Sequence, residues 1–393
     1  MRRVLTVSAA AACVLGSSVQ ADGLEEMFKN GKASGQVRLA YIDQDNPAGT
    51  ADSFATSAGG QLRYETGAWN GLKFGVAAYA SQKIDGLSGN GAKLNPDFFD
   101  DRGDAFAYIG EAYADFQYEG FALRVGRQQI DTPFADTDDI RMLPNTFEAA
   151  IASYTGVEKL TLIGGYVTRW AGFDSGDDIS EFKRFAPDSD GAAVVGAVYE
   201  GVENLLLQGW YYDIDKIGGA AYADAAYVLE LSEAMAFEAA VQGACFDESD
   251  ASGIDGNAFG AMAAFGFGPA VVSAGYNKAS NDTGKAVTNG FGGGPYFTSM
   301  EEMTIDGLND AEAYMVGAEL DFADLGIEGL VLAAAYASFE SGSGDEADEI
   351  DVIVGYALNE QFEAEVSYAE IDDARDTLDG DWSRWLVRLN YNF

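Results

Sequence analysis

From residue 35 to the C-terminus, apolar and polar positions alternate with a period of two, in stretches of about ten residues. In GQVRLAYID, Val37, Leu39 and Tyr41 fall on one face, and Gln36, Arg38 and Ala40 on the other. GGQLRYET sets Leu62 and Tyr64 against Gln61 and Arg63, and GFALRVG sets Phe121, Leu123 and Val125 against Ala122 and Arg124. Later segments repeat the scheme. Tyr314, Val316, Leu320 and Phe322 oppose Met315, Glu319 and Asp321, while Phe362, Val366 and Tyr368 oppose Glu363, Glu365 and Ser367. The chain ends DWSRWLVRLNYNF, with Trp385, Val387, Leu389, Tyr391 and Phe393 on one parity and Arg384, Arg388, Asn390 and Asn392 on the other. Strands with two unlike faces are the result.

The connections alternate in length. Long loops are expected at 43–53, 84–103, 131–145, 171–190, 279–309 and 372–380, with shorter ones at 215–218, 248–254 and 341–346. Tight turns are expected between them at 67–70, 119–120, near Gly156, and at 201–202, 232–233, 268–269, 324–327 and 359–360. About 18 strands result, an even number, as single-chain outer-membrane barrels have. A soluble β-sandwich also alternates, but it needs no strict long/short order of loops and gains nothing from stopping on Phe393. The expected fold is all-β, a closed transmembrane antiparallel barrel over 35–393 whose apolar parity meets lipid, because every backbone group in hydrocarbon must pair internally.

Residues 1–21 read as a secretory signal, with Arg2 and Arg3 ahead of an apolar stretch and Val19-Gln20-Ala21 as a cleavage site. Residues 22–34 then form a periplasmic leader. Composition narrows the chemistry. The 23 Lys and Arg stand against 64 Asp and Glu, which excludes a nucleic-acid partner bound through a basic surface. There is no His, and Cys245 is the single cysteine beyond the leader. A metal site of His and Cys, or a Ser–His or Cys–His catalytic pair, is therefore not expected, and neither is an enzyme or a cofactor.

If apolar positions face lipid, the other parity lines a water-filled bore. Arg38, Arg63, Arg124, Arg384 and Arg388 then form a cationic column, with Arg169 added by parity. Inward acids, Glu238, Glu319, Asp321, Glu363 and Glu365, form an opposing wall. Guanidinium forks match carboxylates, so such a field suits carboxylate-bearing or zwitterionic solutes. The alternative is that these arginines are halves of structural ion pairs with nearby lumenal acids. Arg127 shares the apolar parity, so a strand end or bulge is expected at Gly126. The stretch from Arg124 to Tyr154 carries Pro133, Pro144, Asp131, Asp138, Asp139 and Arg141, and reads as a loop folded inward to constrict the bore.

FKNGKASGQVRLAYID, GRQQIDTPFADTDDIRMLPNTFEA and the terminal Phe393 resemble the OprD family of bacterial outer-membrane porins. The resemblance implies an 18-stranded channel for small solutes, often amino acids, peptides or other carboxylates, with an arginine ladder. It places Arg127 and Arg141 near the constriction and the chain in the outer membrane of a Gram-negative bacterium. Phe393 with Tyr391 also resembles the signal read by the barrel-assembly machinery. The alternative is a non-selective or cation-preferring structural or adhesin barrel, with GSGDEADEID and DDARDTLDGD as Ca²⁺-binding surface loops. Monomer and homotrimer both stay open.

Overall fold

The computed structural model describes residues 22–176, 178–282, 284–288, 291–292, 294–373 and 380–393. The expected signal segment lies outside the described residues, as do 374–379 of the last outer loop. A short helix, α1 (Leu24–Lys29), precedes the sheet. The described strands begin with β1 (Lys32–Asp45), β2 (Ser53–Glu65), β3 (Leu72–Lys83), β4 (Phe106–Tyr118), β5 (Phe121–Gln128) and β6 (Thr146–Val157). Then come β7 (Leu160–Ala171), β8 (Ala192–Val202), β9 (Leu205–Ile214), β10 (Gly218–Ser232), β11 (Met235–Glu248) and β12 (Gly256–Phe267). The last are β13 (Ala270–Ser280), β14 (Glu312–Asp321), β15 (Leu330–Glu340), β16 (Glu346–Ala357), β17 (Phe362–Asp373) and β18 (Trp382–Asn392). Each pairs antiparallel with its chain neighbours and β18 pairs with β1, so the 18-stranded sheet closes on itself. Phe393 and Gly35 exchange two backbone hydrogen bonds of 2.9 and 3.0 Å across that seam. The first strand opens three residues before Gly35, inside the segment expected as leader.

Loop lengths alternate as expected. The 119–120 turn has positive φ at both Glu119 and Gly120, the backbone that matches strand twist in a two-residue hairpin. Two turns lie slightly later than the glycines suggested, at 158–159 and 203–204. Gly156 and Gly201 serve another purpose. A Cβ on either would collide with the ring of Tyr154 or Tyr199, two residues earlier on the same face. These glycines give an outward tyrosine room to lie along the strand.

The parity assignment sorts the faces. Val37, Leu39, Leu62, Val125, Tyr314, Val316, Trp385 and Leu389 are exposed, while Ala40, Ile42, Ala122 and Leu386 are buried inside. Outward aromatics pair near both rims: Phe362 with Tyr391 at 4.7 Å at the turn end, and Tyr368 with Trp385 at 4.6 Å toward the loop end. Ring side chains favour both membrane interfaces.

The interior holds much of the loop mass. Phe134, from the 129–145 loop, packs on Tyr212, Tyr222 and Phe246 of β9, β10 and β11. Further along the same loop, Asp139 and Arg141 bind Arg38 on β1. In the 281–311 loop, the described part from 294 onward also turns inward. The Pro295 carbonyl accepts from Gln242, and the backbone N–H groups of Glu301, Glu302 and Met303 reach Asp351 and Glu349 on β16.

Candidate functional site

Strand register sets the heights of the arginines. Arg63 stands opposite Ser34 of β1, and Arg38 lies on β1 itself. Arg388 stands opposite Ala40, and Arg384 opposite Gln44. The four thus climb β1 through positions 34, 38, 40 and 44, roughly 34 Å along the strand at about 3.4 Å per residue. Arg124 adds a fifth, low on β5.

Each has a carboxylate partner. Arg38 is buried and makes a two-pronged pair with Asp139, at 2.6 and 2.8 Å. Its Nε donates to Asn390 at 2.8 Å, and Nη1 also reaches the Arg141 carbonyl at 2.8 Å. Arg63 pairs with Glu111, which also accepts from the Tyr79 hydroxyl at 2.9 Å. Arg124 pairs with Asp115 at 2.9 Å and lies 4.2 Å over the ring of Tyr113. Arg384 is buried between Glu301 and Glu302 of the 281–311 loop. Arg388 holds Glu365, with Nε to Oε1 at 3.1 Å, and donates to the Asp139 carbonyl. Arg63, Arg124 and Arg388 keep 27, 20 and 14% of their side chains exposed, so three of the five reach water.

The segment expected to constrict the bore is tied down by these contacts. Asp139 is held by Arg38. Asp131 accepts from the Thr137 hydroxyl at 2.6 Å, within the loop. Arg141 pairs with Asp97 at 2.9 Å and Glu302 at 3.3 Å, with its guanidinium 4.4 Å over Phe173. Asp138 adopts a φ of +35° beside Asp174 of the 172–191 loop. Burial first, and then the Asp174 carboxylate, pushes Asp138 up to about 7. Asp174 is raised as well, chiefly by burial. Burial where two loops meet thus favours the protonated form of both carboxyls.

Several expectations need correction. Glu363 and Glu365 do not oppose the arginine column. They stand on β17, directly beside Asn390 and Arg388 of β18, because parity fixes the face but not the position round the barrel. Glu319 is on β14, four strands from Arg388, where it borders a cavity of 280 Å³ with Glu301 and Asp351. Asp321 sits at the turn end of β14 and accepts the Ala323 N–H at 2.9 Å. Arg127 neither ends nor bulges its strand. It stays on the outward parity beside Glu148, at 2.9 Å. Arg169 also faces outward, because the β6–β7 ladder skips Thr168. In GSGDEADEID, residues from Glu346 onward belong to β16, and its Asp345 accepts from Ser341 and Ser343. The second acidic loop lies mostly outside the described residues.

The reading of the sequence missed the partners. Glu111 and Asp115 share the inward parity of β4, a legible signal. Lys73 pairs with Glu65 at 3.3 Å in the same lower network. Asp97, Glu301 and Glu302 sit on loops, where no periodicity marks them.

A family model described as outer membrane porin, OprD family, matches residues 25–376. No curated protein matches the chain. Among solved structures it is similar to a BenF-like porin from Pseudomonas fluorescens Pf-5, with TM-score 0.81, 16% identity, and coverage of 93% of this chain and 99% of that one. It is also similar to Pseudomonas aeruginosa OpdK with vanillate (TM-score 0.78, 19% identity, 93% and 99% coverage). Pseudomonas aeruginosa OccK2 (OpdF) in complex with glucuronate gives TM-score 0.78 and 17% identity at the same coverages.

Proposed function

Because this chain belongs to the OprD family of outer-membrane porins, we propose that it passes small water-soluble carboxylates and zwitterions by passive diffusion along a lumenal column of arginines. The observation that carries this reading is the climb of Arg63, Arg38, Arg388 and Arg384 along one wall, with Arg63 and Arg388 open to water. Each guanidinium already holds a carboxylate. An incoming solute carboxylate exchanges with that partner rather than binding a bare cation, so no step is deep enough to trap it. Glu301, Glu319 and Asp351 around the 280 Å³ cavity supply a counterpart for an ammonium group. The two inward segments, 129–145 and 294–311, form the narrow part of the bore. OpdK with vanillate and OccK2 with glucuronate support the solute class, since both bound molecules carry a carboxylate.

The same pairing supports a second reading. If the partner carboxylates stay put, the acid excess of the chain makes the bore cation-preferring. Two measurements separate the readings: reversal potential in a salt gradient across a planar bilayer, and proteoliposome uptake of benzoate against uncharged benzyl alcohol. Faster benzoate uptake that falls at least threefold in an Arg63→Gln, Arg388→Gln variant supports the column. Equal uptake of both solutes, with cation selectivity unchanged by the substitutions, would sink it.

A further inference from the structure

Arg127, Glu148 and Arg169 stand directly opposite one another on β5, β6 and β7. An isolated antiparallel bridge between Trp170 and Lys183 brings the next segment alongside, with Arg184 adjoining that bridge. The face is the outer one. Phe147 and Trp170, which flank the row, stack 6.1 Å apart in the interior, and Val125 and Tyr166 below it are exposed outward. Skipping Thr168 in the ladder is what turns Arg169 out of the lumen. The side chains of Arg127, Arg169 and Arg184 are 36, 48 and 47% exposed. Their height is the loop end of the wall, just above the apolar belt, where a lipid headgroup begins.

Charge in the row is unbalanced. Glu148 binds Arg127 at 2.9 Å and is 3.9 Å from Arg169, while Arg184 donates to the Ser189 carbonyl at 2.6 Å and lies 3.9 Å from the solvent-facing Asp190. Three arginines thus gather on one outward stretch of the rim in a chain with 64 acidic residues. Elsewhere on this rim the outward charges include acids bonded by tyrosines: Asp43 by Tyr41, Glu312 by Tyr314 and Glu370 by Tyr368. Arg127 is also pre-set, its guanidinium 4.2 Å over Phe182 and donating to the Ile109 carbonyl at 3.0 Å.

We propose that this row is a binding site for the phosphate groups of an anionic lipid of the outer leaflet. Forked guanidinium donors match a phosphomonoester, and a bound phosphate would offset the excess positive charge of the row. The lipid's acyl chains would lie on the apolar belt beneath.

The test uses the full barrel purified in detergent, with lipid retention read by native mass spectrometry. Diphosphorylated lipid A and its dephosphorylated form are the probes. The wild type should retain the phosphorylated lipid at least tenfold better than the Arg169→Gln, Arg184→Gln variant, and should not retain the dephosphorylated one. Lysine at both positions should restore part of the retention. Glu148→Gln, which removes the competing carboxylate and leaves the arginines in place, should raise retention, so the idea stays testable if the double variant fails to fold. Equal retention by wild type and double variant, retention of the dephosphorylated lipid, or displacement by millimolar inorganic phosphate alone would overturn it.

Discussion

Arg38 is where the constriction proposal can be tested with a stated magnitude. Its guanidinium makes two hydrogen bonds to Asp139, one to the Arg141 carbonyl and one to Asn390, all between 2.6 and 2.8 Å. Arg38→Met keeps much of the buried stem and removes all four. Breaking a buried ion pair from one side costs about 3–5 kcal/mol. The Asp139 side chain is 37% exposed, so it recovers some hydration, and the loss falls to about 2–3 kcal/mol. The barrel wall keeps its backbone ladder, so the loss appears in docking of the 129–145 loop. An equilibrium shifted by that amount raises the undocked population about 30- to 150-fold. Single-channel recording in planar bilayers reads it as open-channel noise and sub-states of higher conductance. Asp139→Asn should produce the same traces, and the double variant should add little, because both substitutions remove one latch. Quiet traces of wild-type amplitude from Arg38→Met would refute the argument that this pair holds the loop.

The Asp138–Asp174 pair sets the pH dependence of the same loops. Asp138 is raised in the docked state from an ordinary value near 4 to about 7, so its own contribution to docking is fully present below about 4 and is lost as pH rises through about 7. Channel noise should therefore grow between pH 5 and pH 8, and Asp138→Asn should flatten that dependence; noise that instead falls with rising pH would contradict the buried pair. Replacing Arg384 and Arg388 together by Ala should lower anion permeability and carboxylate flux, seen as a shifted reversal potential, and an unchanged potential would count against the column. Removing Phe393 deletes the two seam bonds to Gly35 and should slow barrel assembly, followed by heat-modifiable gel mobility, without altering the conductance of inserted channels.

What was legible in the chain was whatever depends on local pattern. Strand number, the 119–120 and 268–269 turns, and the inward face of Arg38, Arg63 and Arg124 follow from a period of two that a strand cannot evade. Two glycines misled by their composition signal, since Gly156 and Gly201 make room for rings rather than turns. Parity also failed at Thr168, where one extra residue reverses every face beyond it. A bulge of that kind carries no sequence mark that separates it from an ordinary strand residue.

The sequence alone determined that this is a closed, lipid-facing barrel with arginines on its inner wall, because hydrocarbon allows no unpaired backbone and one face must be apolar throughout. Only the tertiary structure decided what those arginines hold. Asp139, Glu301 and Glu302 arrive from loops over 80 residues away in the chain from Arg38 and Arg384. It also placed Glu365 beside Arg388 rather than across from it. Ion pairing depends on distance in space, and barrel closure with inward loop folding sets those distances between residues that no local pattern connects.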